Sequence, residues 1–130
     1  MPSRPLTKIL FVDDDQDTLT IARYSLQTLQ GVEVKYAGSG EEAIQIASSF
    51  HPDLILLDVM MPKMDGIATL KAIRALEPIA NIPIVFFTAK VQKEEIAGYL
   101  ETDVIGVVVK PFDPLTLGSQ IQKIWENQSK

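Results

Sequence analysis

Five short apolar runs recur along the chain with helix-like stretches between them, an alternation that predicts βα units around a parallel sheet. The runs are Ile9 to Val12 (β1), Val32 to Tyr36 (β2), Leu54 to Leu57 (β3), Ile84 to Phe87 (β4) and Val107 to Val109 (β5). The first, third, fourth and fifth are continuously apolar, as strands covered on both faces should be. The second alternates and carries Glu33 and Lys35, which puts it at an edge.

Between these runs the period changes to that of a helix. Leu19, Ala22, Leu26 and Leu29 follow Asp17 at three- and four-residue steps, predicting a helix α1 that continues to about Gln30 and stops at Gly31. Ser39 with Glu42 three positions on is a capping-box pattern, so α2 should run from Gly40 to Ser49 and end at His51-Pro52. Asp65-Gly66 opens α3, expected through Leu76, and Lys93 to Leu100 gives α4. Asp113 followed by Pro114 reads as a cap with proline at the first helical position, opening an α5 that runs toward Trp125.

Length changes this picture little: 130 residues suit one domain, expected to span 1–130 with a core over about 8–128 and no output domain. Charge removes some functions. A net charge of −5 and the lack of any Lys/Arg cluster argue against a phosphate backbone as direct partner. With no cysteine there is neither a disulfide framework nor a thiol ligand or nucleophile. No apolar run approaches the roughly 18 residues of a membrane span, so the expected location is cytoplasmic.

The informative polar residues follow the apolar runs. Asp13-Asp14-Asp15 comes after the first, Asp58 after the third, Thr88 after the fourth and Lys110 after the fifth. In an open α/β sheet the carboxyl ends of the strands are where ligands bind, so residues remote in sequence should converge there. Two carboxylates about 4 Å apart repel by about 4 kcal/mol at an effective dielectric of about 20, unless a cation or proton intervenes. The donors are oxygens, with neither Cys nor His in the pattern, which favours a hard cation, Mg2+, over zinc or copper. Lys110 and the Thr88 hydroxyl beside such a cation suit phosphoryl transfer, with Asp58 as nucleophile and Asp13 and Asp14 sharing the metal.

Each of these residues has a plainer reading alone. The acidic run could be a solvated turn, with Asp15 or Asp17 capping α1; Thr88 could be a capping hydroxyl and Lys110 a surface lysine. Only their joint placement favours chemistry. Met60, Met61 and Met64 read as loop packing, because thioethers do not complement hard carboxylates. His51 reads as a helix-end residue and Trp125 as a packing residue.

Together, Phe11-Val12-Asp13-Asp14-Asp15, the stretch Leu57 to Gly66, Thr88-Ala89 and Lys110-Pro111-Phe112 resemble the receiver domain of two-component response regulators, stand-alone chemotaxis regulators included. The resemblance covers about Lys8 to Gln128. It implies a flavodoxin-like, doubly wound sheet of five parallel strands in the order 2-1-3-4-5 with five helices. It further implies that Asp58 accepts a phosphoryl group from a phosphohistidine of a sensor kinase or phosphotransfer protein. Asp14, Asp58 and the backbone carbonyl of Met60 would ligate Mg2+, with Asp13 acting through water and Thr88 and Lys110 meeting the phosphoryl oxygens. A cis peptide at Lys110-Pro111 is common in the family. The chain would be a signalling domain that assists its own phosphorylation and dephosphorylation rather than an enzyme, and would present its α4-β5-α5 face to a downstream protein.

One departure stands out: Val107 occupies a position where many receivers carry an aromatic residue, so switching is expected through the segment Lys90 to Glu95 instead. Two alternatives remain from the sequence. One is a magnesium-dependent aspartyl-phosphate phosphatase, disfavoured because Val59-Met60, and no acid, follows Asp58. The other is a receiver cut from a larger regulator or hybrid kinase.

Overall fold

The computed structural model describes residues 4–89, Gly98 and 104–127. Its strands are β1 (Lys8–Val12), β2 (Glu33–Ala37), β3 (Leu54–Asp58), β4 (Ile84–Thr88) and β5 (Gly106–Val109). They form one parallel sheet in the order β2-β1-β3-β4-β5, so the predicted fold and the edge position of β2 both hold. Four α-helices are described: α1 (Gln16–Leu26), α2 (Gly40–Phe50), α3 (Gly66–Arg74) and α5 (Leu117–Asn127), with a 3-10 turn at Glu77–Ile79. The predicted α4 and the Lys90–Glu95 switch segment lie outside the described residues, Gly98 excepted.

The continuous apolar runs are explained by two cores, one on each face of the sheet. Ile9 and Phe11 of β1 point to one face with Leu54, Leu56, Val85 and Phe87, where α1 and α5 close over them through Leu26, Ile121 and Trp125. Leu10 and Val12 point to the other with Ile55, Leu57, Ile84 and Phe86, covered by α2 and α3 through Ala43, Ala47 and Ile73. Each large side chain so buried contributes about 1.5–3 kcal/mol, and a polar residue at any of these positions would forfeit that and strand a polar atom. Val107 is half-buried against the second core.

The caps of α1, α2 and α3 sit where the sequence put them, but α1, α3 and α5 are shorter than predicted. Asp15 caps α1, Ser39 caps α2 with its oxygen on the Glu42 N–H, and Asp65 caps α3. Glu42 reaches back to the Gly38 N–H at 2.7 Å rather than to the cap residue itself. The α-helix α1 ends at Leu26, not Gln30: Thr28 and Leu29 bond back three residues to Ser25 and Leu26, and the Thr28 hydroxyl takes the Ser25 carbonyl as well. Gly31 then turns the chain at φ +75°. Helix α3 stops at Arg74 for a similar reason, since Ala75 and Leu76 make three-residue bonds that lead into the 3-10 turn. Asp113 accepts from the Leu115 N–H as predicted, but Pro114 to Thr116 form a turn and regular α5 begins at Leu117. His51 closes α2 in the left-handed conformation, at φ 50°.

Candidate functional site

Strand register alone brings the polar residues together. Val12 pairs with Leu57, so Asp13 and Asp58, each one residue further along, leave neighbouring strands at the same level. Asp58 pairs with Phe87 and Thr88 with Val109, which sets Thr88 and then Lys110 across the same carboxyl edge. The loop beyond β3 folds back tightly: the Gly66 N–H donates to the Val59 carbonyl at 2.9 Å. A Cβ on Gly66 would lie 2.5 Å from the Asp58 carbonyl oxygen, so only glycine lets α3 start this close to the acid.

Three carboxylates converge. Asp13, Asp14 and Asp58 each offer an oxygen, all within 4.8 Å of one another. Asp13 and Asp58 are buried, at 1% and 4% exposure, while Asp14 is open to solvent. Lys110 is the cation between them, its Nζ 2.6 Å from Asp13 Oδ2 and 3.2 Å from Asp58 Oδ1. The Met60 N–H donates to the same Asp58 oxygen at 3.3 Å. Thr88 is fully buried, and its carbonyl accepts from the Lys110 N–H at 2.8 Å, tying β4 to the lysine's backbone. The Lys110-Pro111 peptide is cis, as the resemblance implied.

Burial pushes the Asp58 carboxyl up to about 6, and the neighbouring Asp13 charge adds to this against the opposing pull of Lys110. Burial also works against the Lys110 charge, but the two carboxylates outweigh it, Asp13 first, and hold the ammonium above its ordinary value. Among the described residues two buried acids face one lysine, which leaves the pocket short of positive charge, and the three converging donors are hard oxygens. That donor set fits a divalent hard cation such as Mg2+.

Of the acidic run, Asp15 stands apart: it accepts from the Asp17 N–H and the Thr18 hydroxyl and serves α1. Asp13 spends its second oxygen on the Asp15 N–H at 2.9 Å, which fixes its orientation toward Lys110. Met61 and Met64 pack in the loop, Met64 against Gly40, while the Met60 side chain is 60% exposed. Trp125 is buried and donates to the Arg4 carbonyl, a packing residue as expected.

The wall beside the pocket was not among the residues expected from sequence. A cleft of about 320 Å³ opens beside Lys110, lined by Thr18, Ile21, Ala89, Pro111, Phe112 and Pro114. Ile21 was the available signal, since it falls off the inward stripe of α1 and is 43% exposed. Lys110, expected opposite phosphoryl oxygens, bridges two carboxylates directly.

Comparison with known proteins gives a consistent result. The family described as the response regulator receiver domain matches residues 9–122. The chain is 38% identical over 117 residues to the alkaline phosphatase synthesis transcriptional regulatory protein PhoP of Bacillus subtilis, covering 90% of this chain and 48% of that protein. It is 34% identical over 119 residues to the chemotaxis protein CheY of Pseudomonas aeruginosa, covering 92% of this chain and 96% of CheY. The solved structure of chemotaxis response regulator CheY4 of Vibrio cholerae superposes with a TM-score of 0.82 at 32% identity, over 92% of this chain and 99% of that one. The chain thus spans about half the length of several curated relatives and nearly all of CheY.

Proposed function

Because the chain belongs to the response regulator receiver family of two-component signalling, we propose that Asp58 is its phosphoacceptor and that phosphorylation there switches a protein-binding surface. The observation that carries this is Lys110, whose ammonium touches both Asp13 and Asp58 and so lies where negative charge is gathered. In the reaction, an Asp58 carboxylate oxygen attacks the phosphorus of a phosphohistidine. The P–N bond breaks as the P–O bond forms, and the released imidazole takes up a proton.

Asp58 has to be ionised to attack, and Lys110 favours that form. The Met60 N–H on Oδ1 orients the carboxylate so that its other oxygen can serve as the nucleophile. On transfer, Lys110 and the Thr88 hydroxyl are assigned to the phosphoryl oxygens, where fixed donors stabilise developing charge. Asp14, Asp58 and the Met60 carbonyl would hold Mg2+, with Asp13 acting through water. When bound, the cation offsets the carboxylate charge and orients the phosphoryl oxygens. The chain acts in this reading as one receiver domain that assists its own phosphorylation and dephosphorylation. The downstream target meets the α4-β5-α5 face, whose α5 part offers Ser119, Gln120, Lys123 and Glu126 to solvent.

Among the described residues no helix is long and apolar enough to cross a membrane, which suits an acceptor working away from the bilayer. The test is incubation with Mg2+ and acetyl phosphate followed by intact mass. Wild type should gain one phosphoryl group and Asp58→Ala none; equal adduct formation in both would refute the assignment.

A further inference from the structure

The outer edge of β2 has features that the phosphoacceptor site does not use. The Glu33 N–H donates inward to the Thr7 carbonyl and the Ala37 carbonyl accepts from the Asp13 N–H, so residues 33, 35 and 37 spend their backbone groups on β1. The backbone groups of Val32, Val34 and Tyr36 therefore point away from the sheet, where β2 is the last strand. The side chains alternate in step: Glu33 and Lys35 are exposed on one face, and Val32, Val34 and Tyr36 are half-buried on the other. A cleft of about 320 Å³ runs beside that apolar face, between it and Arg23, Gln27 and Leu29. Tyr36 forms part of its floor under the Arg23 guanidinium, 4.5 Å from the ring, and Tyr24 nearby on α1 is 71% exposed.

We propose that this edge is a self-association surface, on which a second copy of the chain adds its own β2 antiparallel about a two-fold axis at Val34. The register follows from the backbone. Centring on Val34 sets Val34 against itself and Val32 against Tyr36 of the second copy, and these are the residues whose N–H and C=O groups face outward. The Val34–Val34 and Val32–Tyr36 pairs are hydrogen-bonded pairs, and Glu33 and Lys35 fall at the closer, non-hydrogen-bonded positions between them. The charges fit the same axis, because Glu33 then stands opposite Lys35 of the second copy, twice over by symmetry. Neither side chain has an ion pair within the chain among the described residues; Lys35 rests only on the Phe50 ring, 4.9 Å away. A one-residue slip of register would set outward-facing groups against inward-facing ones, so the charge pattern and the hydrogen-bond pattern select a single arrangement. A second copy is favoured over another protein because the strand is complementary to itself in both respects.

One five-residue strand and its flanks make a small interface, so the expected affinity is weak, with Kd on the order of 10–100 μM. Sedimentation velocity of the full chain from about 1 to 500 μM, spanning that range, reads it directly. Wild type should shift from monomer to dimer across the series. Val34→Pro removes an N–H that faces away from β1, so it should abolish the dimer while the domain still folds, as read by far-UV circular dichroism, and still takes up acetyl phosphate label. Glu33→Lys and Lys35→Glu should each weaken self-association at least tenfold. Mixing those two variants should restore a heterodimer, as should combining both changes in one chain. A chain monomeric throughout would overturn the proposal, and so would a dimer indifferent to Val34→Pro or to the charge reversals.

Discussion

Strand β3 has an aspartate at each end, and the two are treated in opposite ways. Asp53, just before the strand, accepts on Oδ2 from the Thr7 N–H, the Thr7 hydroxyl and the Lys8 N–H, and meets the Arg4 guanidinium at 3.1 Å on Oδ1. Burial works against its charge, but these donors outweigh it and hold its carboxyl below the ordinary range. Asp58, at the other end, has among the described residues one long N–H contact and a lysine it shares with Asp13, and is pushed up to about 6. One acid is satisfied and fastens β1 to β3. The other is kept short of partners at the edge where a phosphoryl group and a cation would supply them. On the proposed function, two carboxylates on one strand thus separate structural work from chemical work by how many donors reach each.

The largest effect that would break this contrast is on chemistry. Lys110→Ala should lower the rate of acetyl phosphate labelling by about 100-fold or more while the domain stays folded, because it removes the charged donor that touches Asp58 among the described residues. A rate within a few-fold of wild type, followed by time-resolved intact mass, would mean the lysine is not the stabilising charge.

Next comes stability, where the two aspartates should differ in sign. Asp53→Ala leaves two backbone N–H groups and a half-committed arginine and should cost about 2–3 kcal/mol in urea unfolding. Asp58→Asn relieves a buried charge and should raise stability by about 1–2 kcal/mol when divalent cations are chelated. Equal losses at the two ends would erase the distinction.

The pH dependence follows from the same shifts. Asp58 binds its proton more tightly folded than unfolded, so the stabilisation from its protonated form is fully present below about 4 and is lost as pH rises through about 6. In chelator, wild-type stability should therefore fall by about 2 kcal/mol over that window, and Asp58→Asn should remove the slope. Asp53 works in reverse: its contribution is present above the ordinary carboxylate range and disappears as pH drops below it. The smallest expected effect is Arg4→Ala, under about 1 kcal/mol, since the guanidinium side chain is 65% exposed.

The contrast also marks what the sequence could reveal. Four of the five strands were legible because parallel strands covered on both faces are apolar without interruption, as at Leu54 to Leu57, and β2 was legible as an edge because it alternates. The pocket was legible because each of its residues follows such a run, and register then does the rest. Asp53 was not legible, since its donors lie 45 and 46 residues away and nothing in the local pattern distinguishes it from a surface turn. The early ends of α1 and α3 were hidden for a different reason. Three-residue hydrogen bonds and the Thr28 hydroxyl compete with the α-helix over only a turn, which apolar periodicity does not record.

Both aspartates can be observed together by carboxyl-carbon NMR, titrating the protein in chelator and then with Mg2+. The account predicts an Asp58 midpoint near 6 that falls when Mg2+ is added, and an Asp53 midpoint below the ordinary range that does not move. An Asp58 midpoint at or below the ordinary carboxylate value without the cation, or a common response of the two residues to it, would contradict the account.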